Sequence, residues 1–391
     1  MALYTKKQED FLAKIINGDS IFLTGKAGTG KSFIVKEAIK MLQGKGKQVI
    51  ALAPTGIAAN NISGQTIHSF FSIPPFGVLT YDDCNFLKQE KRRLLMKVDV
   101  IFIDEISMLR PDILDGINWT LLKNGCKPLS HYQIVLIGDL KQLESPIDDN
   151  TRSVMYRTYN GIEFYNAKCY KGLNIHEIEL DEILRQTDSE FIEALNIVRE
   201  GIKAPYFRKF FNDKPKGIVL APHNATVAKY NLEGLLNVTG EEYIFHAEID
   251  GNLKASDFNL ESEIKVKHGC KIMHLANSKD NKLINGTIGI FKVKNGIFFI
   301  EVNQVKHPIL PIKFSKKQYV LNEKENKLEL QDIGSITQYP IKLAYALSIH
   351  KSQGLTFDEV TIDLTRECFT KGQLYTALSR VKTPEGLTII I

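Results

Sequence analysis

Phe22-Leu23-Thr24-Gly25-Lys26-Ala27-Gly28-Thr29-Gly30-Lys31-Ser32 decides the fold of this chain. A short apolar run leads into a glycine-rich turn, and a helical pattern follows from Phe33 to Leu42. Gly25, Gly30, Lys31 and Ser32 satisfy the G-x-x-x-x-G-K-[ST] template in the strand-turn-helix context that it requires. Glycines let successive backbone N–H groups turn inward toward phosphate, and the helix N-terminus adds unsatisfied donors and a positive dipole. Lys31 is placed to reach the outer phosphates and Ser32 to ligate magnesium. A plain glycine-rich surface turn is the competing reading, and the complete template in its proper place disfavours it.

The 391 residues suggest two or three domains, and 43% hydrophobic with 24% charged residues is an ordinary globular composition. A formal charge of +5 is compatible with a polyanionic partner without requiring one. Cys84, Cys126, Cys169, Cys270 and Cys368 are far apart with no C-x-x-C pair, which argues against a zinc or iron–sulfur site and for free thiols in a reducing compartment. Met1 to Gln8 carries charge with no apolar core behind it, and no stretch approaches the ~18 apolar residues of a membrane span. A cytoplasmic protein of bacterial or phage type, without membrane partners, is expected.

Downstream, Gln48 to Ala53 reads as a buried strand of a parallel sheet, ending in Pro54-Thr55-Gly56. Small residues through Asn60 and then Thr66-Ile67-His68-Ser69-Phe70-Phe71 follow, at the carboxyl edge where open α/β sheets bind ligands. A βα loop with core aromatics is an equally good reading of composition alone. Residues 73–97 lose the strand-helix rhythm and look like an insertion. Val98 to Ile103 is a second apolar strand, ending in Asp104-Glu105. It is expected beside the cradle strand, with Asp104 offered to the magnesium shell and Glu105 to the attacking water. Gln133 to Ile137 leads to Gly138-Asp139, and Gln142 beyond it could sense a γ-phosphate.

The second half opens with a strand, Asn174 to Leu180, and then Leu184-Arg185-Gln186 before a helix for which Thr187 and Glu190 form a capping box. Gly217 to Ala221 is a further strand. From about 241 the rhythm becomes short β-runs, with Asn295-Gly296 a strong hairpin signal and Asn285-Gly286 a second. Helix-strand alternation returns at 338–391 through His350-Lys351-Ser352-Gln353-Gly354, the strand Glu359 to Leu364, and Tyr375-Thr376-Ala377-Leu378-Ser379-Arg380. The second α/β half has no phosphate cradle of its own. ATP held in a cleft between two halves, with Arg185 and Arg380 reaching it, is one reading; surface ion pairs are the other.

These segments, in this order, resemble the superfamily 1 DNA helicases of the petite integration frequency (PIF) family, with the RecD and Dda helicases as relatives. The resemblance covers nearly the whole chain apart from the two insertions. It implies two tandem RecA-like parallel-sheet domains: 1–72 with 98–168, carrying a wedge insertion at 73–97, and 169–240 with 338–391, carrying an SH3-like β insertion at 241–337. It implies ATP and Mg²⁺ as cofactors, with Ser32 and Asp104 on the metal. Gln8 matches the adenine-reading glutamine, Arg185 and Arg380 the two arginine fingers, and Gly25, Ala27, Gly28, Thr29, Gly30, Lys31, Ser32, Gln142 and Gly354 the rest of the nucleotide site. Lys31, Asp104, Glu105, Gln142, Arg185 and Arg380 are then the catalytic set. Pro54, Thr55, Gly56, Asn60, His68, Phe70, His350 and Lys351 fall in segments that line the DNA path of relatives.

The expected activity is an ATP-dependent 5′-to-3′ DNA helicase that translocates on single-stranded DNA as a monomer and opens tailed or forked duplexes, in repair, recombination or replication. An RNA or hybrid translocase and an ATP-gated DNA-binding subunit of a recombination complex are the alternatives.

Overall fold

In the computed structural model the chain divides into two compact units, Met1–Arg185 with Lys317–Ile333, and Gln186–Lys316 with Gly334–Ile391. The structure describes residues 4–391 except 75, 76, 146, 184, 185, 187, 252, 259, 277–282, 284, 323, 324 and 326, and the backbone alone at 57, 60, 256, 257, 316–318, 321, 327 and 330.

The first unit is built on β1 (Ile21–Gly25), β2 (Val49–Ala53), β3 (Gln65–Thr66), β4 (Val100–Ile103), β5 (Gln133–Ile137) and β6 (His176–Leu180). They form one sheet in the order β3-β2-β4-β5-β1-β6, with every pairing parallel. Alternate residues point to opposite faces, and at β1, β2, β4 and β5 both faces are covered, so those strands are largely apolar. Ile21, Leu23, Val49, Ala51, Val100 and Phe102 enter the core on one side. Phe22, Ile50, Leu52, Ile101 and Ile103 enter the other.

Three expectations change here. Strand β4 does not neighbour β1, because β5 lies between them. What allows this is Gly138, just past β5: a Cβ there would come within 2.9 Å of Ile106 Cγ2 in the turn after β4. Second, β6 pairs with β1 from Ile21↔His176 to Gly25↔Leu180, so the strand assigned to the second half belongs to the first sheet. It is an edge strand with exposed His176, Glu177 and Glu179, and Asp181 just beyond it pairs with Lys7 at 2.9 Å. Third, residues 317–333 of the β insertion belong to the first unit. Because β3 is only two residues long, part of the β2 edge needs another partner. Ala51 N–H donates to the Tyr319 hydroxyl at 3.0 Å, and Tyr319 N–H donates to Gln65 Oε1 at 3.2 Å.

The insertion at 73–97 is anchored by its apolar residues, since Leu79, Cys84, Leu87, Leu94 and Leu95 are buried in the same core as Phe70. Its last part is a helix, Gln89–Lys97, which buries Leu94 and Leu95.

The second unit carries a parallel sheet of β7 (Ile218–Ala221), with the β-rich insertion following it in sequence. That insertion comprises β8 (Glu242–His246), β9 (Glu248–Asp250), β10 (Glu263–Lys267), β11 (Lys271–His274), β12 (Ile288–Lys294), β13 (Ile297–Val302), β14 (Val305–Pro308), β15 (Ile312–Asn322), β16 (Lys327–Gln338) and β17 (Ile341–Leu343). The chain then returns to the parallel sheet as β18 (Ala346–Ser348), β19 (Val360–Asp363) and β20 (Leu387–Ile390), in the order β18-β7-β19-β20. The β12–β13 hairpin turns on Asn295 and Gly296, at φ 51° and 72°, the two left-handed positions of a type I′ turn. The insertion runs to β17, which pairs with β11, rather than stopping at 337. The helix Ser189–Arg199 is capped by Asp188, whose side chain accepts from Phe191 N–H; Thr187, expected in that role, lies outside the described residues.

Candidate active site

The turn after β1 is shaped by its glycines. Gly25 sits at φ 152°, and a Cβ on it would come within 2.6 Å of the Leu180 carbonyl oxygen, so no larger residue fits between cradle and β6. Gly28 and Gly30 occupy the left-handed region at φ 85° and 81°, and the helix Lys31–Gly44 starts at Gly30 with no side-chain cap on its N–H groups. A helix N-terminus without a side-chain cap carries the positive end of the dipole and suits an anion. The Lys31 ammonium donates to the carbonyl oxygens of Gly25 at 2.6 Å and Lys26 at 3.0 Å, and Thr29 Oγ donates to Lys26 O at 3.0 Å. Ala27 and Thr29 are buried and Ser32 is exposed at the first turn of the helix.

At the carboxyl end of β4, Asp104 is buried, and this burial pushes its carboxyl up to about 6. The Glu105 N–H, donating to Oδ1 at 2.9 Å, and the positive fields of Lys31 and Lys36 act the other way. Glu105 stands at φ 50°, in the left-handed region that non-glycine residues rarely enter. Such strain is kept where the surroundings fix a side-chain direction, and here it turns Glu105 off the strand line. Beyond β5, Asp139 is buried; its carboxylate accepts from Lys141 N–H at 3.0 Å and from Gln142 Nε2 at 3.3 Å. Asp139 therefore orients Gln142, a role that the sequence reading did not give it. An acid at a strand's carboxyl edge was the available signal.

Gln8 is buried beside the cradle. Its Oε1 accepts from Thr5 N–H at 3.1 Å in a reciprocal capping box, and its Nε2 donates to Thr29 O at 3.5 Å. Sequence predicted the residue but not the cap, although Thr5-x-x-Gln8 fits the capping-box pattern.

Of the residues expected on the DNA path, Pro54, Thr55 and Gly56 are half-buried at the end of β2, with Thr55 Oγ accepting from Ala58 N–H at 3.3 Å. The side chain of Asn60 lies outside the described residues. Burial lowers the pKa of His68, Arg110 adds to that, and Asp112 opposes it. Phe70 corrects the expectation: it has no exposed surface, packs edge-on to Phe71 and Tyr319, and lies under the Lys91 ammonium. An apolar ring at that helical position was taken into the core, so it supports the segment and does not face a strand.

In the second unit, Arg380 is buried within its own fold. Nε donates to Thr376 O at 2.8 Å, Nη2 to Ser379 Oγ at 2.7 Å and Nη1 to Leu355 O at 3.4 Å. Gly354, at φ 79°, makes the turn that presents Leu355 O. His350 is half-buried and Lys351 exposed, just past β18. Arg185 lies outside the described residues.

The donor set of the first unit suits a magnesium nucleotide. Ser32 hydroxyl and Asp104 carboxylate are hard oxygen donors, and a cation relieves the penalty on the buried carboxylate. No cluster of three or more His, Cys, Asp or Glu that could hold a metal is found among the described residues. Mg²⁺ is held by few protein ligands together with phosphate oxygens and water.

Residues 4–203 match the model of the PIF1-like helicase family, and residues 343–383 that of the UvrD-like helicase C-terminal domain. The chain is 30% identical to the ATP-dependent DNA helicase Pif1 of Campylobacter jejuni, over 97% of this chain and 90% of that one. The structure is similar to that of Pif1 from a Bacteroides species in complex with ADP-AlF4, with a TM-score of 0.88, 34% identity, and 100% and 92% of the two chains covered. Against the structure of Bacteroides Pif1 bound to ssDNA the TM-score is 0.70, at the same identity and coverage.

Proposed function

Because this chain belongs to the PIF1-like helicase family, we propose that it couples ATP hydrolysis to 5′-to-3′ movement along single-stranded DNA and displaces the complementary strand. The observation that carries the reading is the carboxyl edge of the first sheet, where the cradle with Lys31, the Asp104-Glu105 pair and the Asp139-oriented Gln142 stand at the ends of β1, β4 and β5. Lys31 exchanges its two backbone carbonyls for phosphate oxygens, Ser32 and Asp104 hold Mg²⁺, and Glu105 accepts the proton of the attacking water. Gln142 contacts the terminal phosphate while it is present, and Gln8 reads the base. Bound Mg²⁺ lowers the charge barrier of phosphoryl transfer.

Strand displacement on tailed and forked duplexes by a single copy, with Arg185 and Arg380 acting on the terminal phosphate, follows from the family resemblance. The direct experiment compares ATP hydrolysis in the presence of single-stranded DNA, RNA and no nucleic acid. Strong stimulation by DNA supports the reading; stimulation by RNA alone would replace it with an RNA translocase.

A further inference from the structure

We propose that Phe369 is a nucleobase-stacking platform for single-stranded DNA at the carboxyl edge of the second parallel sheet, flanked by the rings of His223 and His350. The inference rests on the reading of the chain as a DNA translocase and adds to it a binding residue that neither motif nor resemblance had singled out.

The three rings come from three separate connections at that edge: His223 just past β7, His350 just past β18, and Phe369 in the loop after β19. The Phe369 ring lies 4.9 Å from His223 at an interplanar angle of 36°, and 6.2 Å from His350 at 27°. It nevertheless remains 60% exposed. Two imidazoles hold the ring in a fixed orientation instead of a core covering it.

The backbone around it is tied down as well. Phe369 N–H donates to Oε1 of the fully buried Gln373 at 3.1 Å, and His223 Nε2 lies 3.3 Å from the Glu367 carbonyl oxygen. His350 Nε2 is buried with no hydrogen-bond partner among the described residues, so its ring position is kept without that compensation.

The surroundings select the ligand. Lys351, Arg366 and Lys371 are exposed in the same connections and suit a phosphate backbone, whereas the apolar surface is a single ring, too small for a protein interface. Every base has a π-face, so such a platform holds a strand without reading its sequence. Gln373 also begins the helix Gln373–Leu378 that leads directly to Arg380, so the platform and that arginine share one element of the second unit.

The test is equilibrium binding, by fluorescence anisotropy, of the full chain to oligo-dT and to an abasic strand of the same length. Phe369→Leu keeps apolar volume and removes the π-face; together with Phe369→Ala it is expected to weaken oligo-dT binding about 5- to 150-fold, the range for losing one stacked base. Phe369→Trp should bind within about threefold of the unaltered protein, since its ring stacks at least as well. On the abasic strand all four proteins should bind alike. Phe369→Leu binding oligo-dT as tightly as the unaltered chain, or losing equally on both strands, would overturn the platform. Failure of the unaltered chain to bind oligo-dT at all would instead overturn the translocase reading on which it rests.

Discussion

The Lys31 ammonium lies 2.6 Å from the Gly25 carbonyl oxygen, folded back onto the turn that it is meant to serve. A cation tethered by backbone carbonyls is pre-placed at the cradle and needs only to change partners when phosphate arrives. Replacing it by alanine removes a positioned donor at the developing charge, so Lys31→Ala should lower the ATP hydrolysis rate by at least ~10²-fold. Phosphate release measured under saturating single-stranded DNA checks this, and turnover near the unaltered rate would displace Lys31 from the site.

Arg380 is held by three acceptors within its own unit, and lysine cannot reproduce that planar fork. If Arg380 acts on the terminal phosphate, Arg380→Lys should cut the hydrolysis rate by ~10³-fold or more while nucleotide affinity changes little. A thermal melt run alongside separates a folding defect from a catalytic one. Retained hydrolysis in a folded variant would reassign Arg380 to a purely structural part.

Tyr319 supplies the acceptor for Ala51 N–H on a strand edge that β3 is too short to cover. Tyr319→Phe keeps the ring against Phe70 but leaves that buried N–H unmatched, and it should destabilise the first unit by ~1–3 kcal/mol. Urea unfolding measures it. Phe70→Leu should lower stability without lowering affinity for single-stranded DNA, because the ring has no exposed surface.

Lys342 on β17 is buried, and burial, reinforced by the positive field of Lys351 and opposed by Glu261, lowers its pKa to about 8. Unfolding returns it to the ordinary value of 10.5, so below about 8 the folded state carries a buried charge that the unfolded state carries in water. Stability from this group is therefore present above the unfolded value and is lost as pH falls through about 8. Lys342→Met should be more stabilising near pH 7 than near pH 10, as read by melting temperatures at the two pH values. An equal effect at both would show that Lys342 is not held in this way.

Much of this was legible because chemistry and local geometry coincide. The cradle template forces its own strand, turn and helix, and apolar runs without alternation mark strands covered on both faces. What escaped is non-local. Nothing in His176 to Leu180 says that it joins β1, since its exposed acids fit any edge strand; only the pairing with Ile21 to Gly25 decides. The insertion of β5 between β1 and β4 depends on Gly138 passing beneath Ile106, a contact between two loops. Phe70 and Phe369 show the same limit: both are aromatic, near polar motif residues, yet the first is wholly buried and the second mostly exposed. Periodicity over a five-residue helix or a loop is too short to tell them apart.

The most direct test of the central claim is strand displacement from two otherwise identical DNA duplexes, one with a 5′ single-stranded tail and one with a 3′ tail, with ATP and Mg²⁺ present. Displacement from the 5′-tailed duplex alone, abolished in Lys31→Ala, is the predicted result; equal displacement from both, or displacement that persists without ATP, would contradict the account.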